Sequence, residues 1–157
     1  MQRITPYLWF EDQAEEAASF YTSIFKNSKI NEISRYGEGG PGPAGSVMLV
    51  SFELDGQQFI ALNGGPQFQF TEAISFVINC ESQEEVDYMW DKLTEGGEES
   101  MCGWLKDRYG ISWQVVPTAL PELLNAPNPE AQQRVMEVFL KMSKIDLPTL
   151  RLAYEGR

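Results

Sequence analysis

Few side chains in this sequence can do chemistry, and the missing ones matter as much as those present. Histidine is absent. That removes the commonest general base at neutral pH and the commonest metal ligand. Ser-His-Asp, Cys-His and H-E-x-x-H arrangements are therefore impossible. Cysteine occurs twice, at Cys80 and Cys102. Two thiolates without imidazole do not make a four-ligand zinc centre. Cys102, ahead of Gly103 and Trp104, is the one candidate nucleophile. It would need Lys106, Arg108 or a helix dipole to lower its pKa. Asp107 and Asp55 each precede a turn, where an acid more often stabilises the turn than acts as a base. The pairs Glu15-Glu16, Glu84-Glu85 and Glu98-Glu99, with Glu81, fall at helix starts or in loops. Helix-dipole complementarity accounts for the first two pairs.

One glycine-rich motif needs weighing. Gly37, Gly39 and Gly42 match G-x-G-x-x-G. A phosphate cradle requires a helix N-terminus directly after the glycines. Here Pro41 and Pro43 intervene, and SVMLVSFEL reads as a strand. The segment Gly37–Gly45 is expected to be a mobile surface loop.

The elements that position these residues repeat. Ile4 to Phe10 alternates as a strand, with Thr5, Tyr7 and Trp9 on one side and Ile4, Leu8 and Phe10 on the other. Asp12 with Glu15 reads as a helix start, followed by Ala17, Phe20, Tyr21 and Ile24 at helical spacing. Strands over Ile30–Tyr36, Val47–Leu54 and Gln57–Leu62 follow, the last two joined by the hairpin signal Asp55-Gly56. The order then recurs. Ala73 to Asn79 alternates, Ser82 to Glu85 is a capping box, and Val86, Met89, Trp90 and Leu93 repeat the helical spacing. Gly96-Gly97 stops that helix, and Cys102–Asp107 and Ile111–Val116 form a strand pair. Gly56-x-x-Phe59 in the first copy corresponds to Gly110-x-x-Trp113 in the second. In the last strand Gln114 lies between Trp113 and Val115, so it faces away from both. A helical tail follows. Asn128 caps a helix with Pro129 at its first position and an apolar stripe of Val135, Val138, Phe139 and Met142. A last short helix runs from about Pro148 to Glu155 and presents Leu147, Leu150 and Tyr154.

Size and charge bound the rest. The 157 residues fit one domain, with module one at about 1–66, module two at about 67–120 and the tail at about 121–157. With 43% hydrophobic residues there is enough apolar material for a real core. The net charge of −11 argues against nucleic acid and anionic membrane surfaces as partners. The N-terminus lacks a signal-peptide core and no window is apolar for 18 residues, so a cytoplasmic protein with reduced thiols is expected. The apolar tail needs a partner surface, either the chain's own sheet or a second subunit, and a homodimer is expected.

The doubled β-α-β-β-β module resembles the vicinal oxygen chelate superfamily of glyoxalases, bleomycin-resistance proteins and extradiol dioxygenases. FELDGQQFIALNGGPQF, AISFVINCESQEEVD, CGWLKDRYGISWQVVP and the late KMSKIDLPTLRLAYEG resemble its PhnB-like branch, which carries the label 3-demethylubiquinone-9 3-methyltransferase. The resemblance implies an α+β fold: two curved mixed sheets around a cavity, plus C-terminal helices. It also implies metal-ligand slots on inward-facing strand positions. These fall on Thr5, Ala73, Ile60 and Gln114. One threonine hydroxyl and one glutamine amide cannot hold a divalent ion. On the same resemblance, Tyr7, Trp9, Ser75, Trp104 and Gln114 line the cavity as ligand contacts; the competing role is ordinary packing for the first four and a polar side chain satisfied by cavity water for Gln114. The expectation is a cofactor-free and metal-free protein that binds a small organic ligand. The alternative is a metal-independent lyase, isomerase or methyltransferase. The candidate lining carries no fixed positive charge, so a neutral or cationic aromatic ligand is expected. An anion would need Arg35, Lys106 or Arg108 to turn inward.

Overall fold

Alternation of apolar and polar residues builds each sheet with one covered and one open face. A computed structural model describes residues 2–157. They form two compact units, the first ending at Phe70 and the second running from Thr71 to Arg157. In the first, β1 (Tyr7–Phe10) leads into α1 (Ala14–Ile24), then β2 (Lys29–Arg35), β3 (Val47–Leu54) and β4 (Gln57–Asn63). The sheet order is β1-β4-β3-β2, with β1 parallel to β4 and the other pairs antiparallel. Leu8, Phe10, Val50, Phe52, Leu54, Phe59 and Ala61 are buried on one face. Helix α1 covers it with Ala17, Tyr21 and Ile24, and the Tyr21 ring stacks 6.3 Å from Phe52. Each large side chain buried this way contributes about 1.5–3 kcal/mol.

The start of α1 differs from the expected cap at Asp12. Gln13 occupies the N-cap and its side chain makes no capping bond. Asn63, at the end of β4, instead accepts from Ala14 N at 2.8 Å and donates to Val47 O at 3.1 Å. The hairpin at Asp55-Gly56 has φ of 50° and 82°, the doubly left-handed turn that matches strand twist. Residues 37–45 form a surface loop closed at its base by Tyr36 and Ser46, and β3, not a helix, follows.

The second unit repeats the plan. It contains β5 (Ser75–Cys80), α2 (Gln83–Thr94), β6 (Glu98–Glu99), β7 (Trp104–Lys106) and β8 (Ser112–Pro117), in the sheet order β5-β8-β7-β6. Again the first and last strands pair in parallel. Cys80, Leu105, Trp113 and Val115 are buried beneath Val86, Met89, Trp90 and Leu93 of α2. Ser82 caps α2 as expected, accepting from Glu85 N. Two elements depart from the sequence reading. Cys102 and Gly103 are not strand; with φ of 60° and 86° they form a left-handed turn before β7. Glu98-Glu99, read as loop, is an edge strand fastened where the Trp90 indole donates to Glu99 at 2.7 Å.

The tail contains α3 (Leu120–Leu124), which the sequence reading missed, then α4 (Pro129–Phe139) and α5 (Leu147–Glu155). Asn128 and Asp146 cap the two longer helices, and Gly156 ends α5 at φ 80°. The apolar stripe is covered largely within the unit. Leu120, Val135, Ile145, Leu150 and Ala153 form a buried cluster with Val116 of β8 against it. Met136, Leu140, Leu152 and Tyr154 stay exposed. Two backbone bonds of 2.8 Å, Cys102 N to Met142 O and Gly103 N to Ser143 O, fix the tail to the sheet. No described helix is long and apolar enough to cross a membrane.

Candidate functional site

The face of the second sheet away from α2 follows from the pleat, and it is only partly open, since Val116 packs against the tail cluster and Ser112 is buried. Trp113 and Val115 point toward α2, so Ser112, Gln114 and Val116 point the other way. Register places Trp104 opposite Gln114 and Lys106 opposite Ser112 on β7, and Ser75 and Val77 opposite Ser112 and Gln114 on β5. Gln114 Nε2 donates to Ser75 Oγ at 2.9 Å, which leaves the amide oxygen as the acceptor of this pair. Ser75, Trp104 and Gln114 thus stand on one face, as expected from the sequence.

Two further residues on that face were not singled out. Ser112 is 1% exposed and its hydroxyl has no hydrogen-bond partner among the described residues. Leaving a buried hydroxyl unpaired costs about 1–3 kcal/mol. Lys106 lies beside it in the ladder, and its Nζ is 3.2 Å from Glu72 Oε1. The hydrogen bond from Lys106, then one from Glu72's own backbone and the ammonium charge, hold the Glu72 carboxyl below the usual range. Lys106 alternates with Trp104 and shares its face, so this face carries a cation that the expected lining of Tyr7, Trp9, Ser75, Trp104 and Gln114 does not include. The signal was the period of two, which the sequence reading applied to Gln114 but not to Lys106.

Tyr7 and Trp9 share the open face of the first sheet. Tyr7 is exposed. Trp9 is held in place: its indole N–H donates to Gly65 O at 2.9 Å, and its ring meets Phe68 edge-on at 4.9 Å. Gly64 lies so close to the ring that an added Cβ would overlap it. Trp9 can thus offer a ligand its π-face but not its donor.

The superfamily's metal slots can be tested on the register. Ile60 pairs with Tyr7, and Gln114 pairs with Val77. Since Gly56-x-x-Phe59 corresponds to Gly110-x-x-Trp113, Tyr7 matches Val77, and Thr5 matches Ser75. Ala73, expected at that slot, lies in an exposed turn two residues earlier. In the first unit the slots hold Thr5 and Ile60, a hydroxyl and a hydrocarbon; in the second they hold Ser75 and Gln114, a hydroxyl and an amide. These residues do not fit a divalent ion. Among the described residues no three Asp, Glu or Cys side chains cluster to hold one elsewhere.

The remaining chemical candidates have structural roles. Asp107 is 3% exposed and accepts from Tyr109 N, Ile111 N and Trp113 Nε1. The Cys102 thiol lies 3.5 Å from the Phe139 carbonyl oxygen at the end of α4. The cations that would activate it are engaged, Lys106 with Glu72 and Arg108 with Glu95. Burial, and then the Glu85 charge, push the Cys80 thiol up to about 12, so it is no nucleophile at neutral pH.

Paired β-α-β-β-β units with parallel first and last strands define the vicinal oxygen chelate fold. The profile of the 3-demethylubiquinone-9 3-methyltransferase family matches residues 2–116. The chain belongs to that family. The match stops at Val116, so the tail, included in the resemblance on the strength of KMSKIDLPTLRLAYEG, lies outside it. A PhnB protein of Bacillus cereus that carries the same family name is 43% identical, with 74% of this chain covering 100% of that one and a TM-score of 0.69. Protein PA1353 of Pseudomonas aeruginosa is 23% identical over 74% of this chain and 98% of its own, with a TM-score of 0.62. The fosfomycin resistance protein FosX of Listeria monocytogenes is 16% identical over 79% and 97%, with a TM-score of 0.58. The last two show the fold alone. No curated protein matches the sequence.

Proposed function

We propose that this chain binds a small organic molecule on its open sheet faces and does so without a metal. The observation that carries this is the Ser75–Gln114 pair beside Trp104. Hydrogen-bonding groups occupy positions where the resemblance implies metal ligands, and a π-surface stands opposite one of them. Such a set orients a ligand and polarises nothing strongly. The family name implies a methyl donor, and S-adenosylmethionine does not fit these residues. Both strand-to-helix turns, Glu11–Gln13 and Glu81–Ser82, lack the glycines that let a backbone approach such a ligand closely.

The test pairs elemental analysis with a thermal-shift panel on protein purified without chelator. The expected result is metal far below one equivalent per chain, with stabilisation by some small aromatics. At a hundredfold excess over Kd, a ligand adds about 2.7 kcal/mol to stability. Near-stoichiometric metal would overturn the metal-free reading, and a panel without any stabilisation would overturn the binding reading.

We further propose a cytoplasmic homodimer, with neither nucleic acid nor membrane as partner. Exposed Met136, Leu140, Leu152 and Tyr154 on the tail support self-association. Light scattering at micromolar concentration is expected to give twice the 17.8 kDa chain mass. A concentration-independent monomer mass would refute the dimer.

A further inference from the structure

We infer that the open face of the second sheet contains a carboxylate subsite, formed by Lys106 and Ser112 and occupied in the free protein by the chain's own Glu72. This rests on the small-molecule reading and names the ligand class: an aromatic body bearing a carboxylate. Three observations converge within one sheet. Lys106 is a half-buried cation whose partner, Glu72, sits in the turn before β5 and is 65% exposed. Ion pairs with an exposed partner are weak, because solvent screens them and ordering the side chains costs entropy. Glu72 is therefore a displaceable occupant. Ser112, the register partner of Lys106, is buried with an unpaired hydroxyl. Directly opposed residues have Cβ atoms about 4.5–5.5 Å apart, so a carboxylate that displaces Glu72 and inserts as far as the buried Ser112 hydroxyl can bond both groups. Two residues further along the same face of β7 and β8 stand Trp104 and Gln114, register partners of each other. They supply a π-surface and an amide for the rest of the molecule.

Charge favours a carboxylate over a neutral polar ligand. A neutral amide could satisfy Ser112 but would not compensate Lys106 for the loss of Glu72. A ligand carboxylate replaces Glu72 charge for charge and pairs Ser112 in addition. The net charge of −11 slows the approach of an anion, but screening confines that field to about 8 Å at physiological salt. At contact the local ammonium dominates.

The test titrates the full chain with phenylacetate and with phenylacetamide, a matched pair differing in charge, by calorimetry. Phenylacetate is expected to bind more tightly than the amide. Glu72→Gln removes the internal competitor and should tighten phenylacetate binding about two- to fivefold, leaving the amide unchanged. Lys106→Met should weaken phenylacetate about tenfold and abolish the preference. Ser112→Ala should weaken phenylacetate without lowering the unfolding temperature, since it removes an unpaired group. Equal affinity for acid and amide, or a preference that survives Lys106→Met, would overturn the subsite while leaving small-molecule binding intact. If neither probe binds and the aromatic panel also fails, the binding reading itself falls and takes the subsite with it.

Discussion

Asp107→Ala is expected to cost about 3–5 kcal/mol of stability, the largest effect of any single polar substitution in the chain. The carboxylate is buried where β7 turns into β8. One oxygen accepts from Tyr109 N at 2.9 Å and Ile111 N at 3.0 Å; the other accepts from the Trp113 indole at 2.8 Å. Removing it leaves these donors facing a void. Each orphaned buried donor costs about 1–3 kcal/mol. The loss also frees Trp113, which packs against Phe76 with ring centroids 5.4 Å apart. Asp107→Asn should lose less, because one oxygen survives, but its amide nitrogen must then face a backbone N–H or the indole N–H. Urea unfolding followed by tryptophan fluorescence checks this. A loss below about 1 kcal/mol for the alanine variant would show that the turn holds without its acid.

The repeat was readable because its signals are local. Ser82 caps α2 with a bond to a residue three positions on. Val86, Met89, Trp90 and Leu93 bury at the spacing that the sequence displays. Asp55-Gly56 dictates its own turn. The misreadings share the opposite property. Asp12 has the right chemistry for a cap, yet Asn63 does that work from a strand 49 positions away. No local pattern announces it. Glu98-Glu99 has poor strand propensity and is a strand because β7 and the Trp90 indole hold it. Cys102 belongs to an alternating segment but adopts φ 60°, since its N–H and that of Gly103 bond to the tail.

The candidate site divides in the same way. Gln114, Ser75 and Trp104 share one sheet face, which strand period alone assigns. Ser112 and Lys106 obey the same period, and only the register shows that they are neighbours across two strands. Glu72 precedes β5 in a turn, and its pairing with Lys106 spans 34 positions of sequence. The slot shift from Ala73 to Ser75 is also a register effect, since spacing along one strand does not reveal which residue opposes it. Trp9 shows a further limit. Its half-buried indole is aromatic lining by type, but a bond to Gly65 consumes its one donor.

Gly97→Ala should destabilise the second unit by about 2–3 kcal/mol and disturb the carboxylate subsite as well. A methyl group at this position would run into the Lys106 carbonyl oxygen and lie 2.8 and 2.9 Å from Asp107 C and Cα. All three atoms are backbone, so no rotamer change relieves the overlap. The chain must move, and the movable part is β6, a two-residue strand paired to Lys106 and Leu105. Pushing β6 away tilts β7, which carries Lys106 on one face and Leu105 in the core. Gly64→Ala is the fitting control. Its methyl group would overlap the Trp9 ring, a side chain that can swing aside at the expense of one hydrogen bond. Gly97→Ala should therefore lower the unfolding temperature by about 5–10 °C and weaken phenylacetate binding together. Gly64→Ala should perturb the Trp9 fluorescence at a smaller cost in stability. A shift under about 2 °C for Gly97→Ala would mean that β6 yields freely and does not fix Lys106. The subsite would then depend on β8 alone, where Ser112 and Gln114 remain but the cation has no rigid seat.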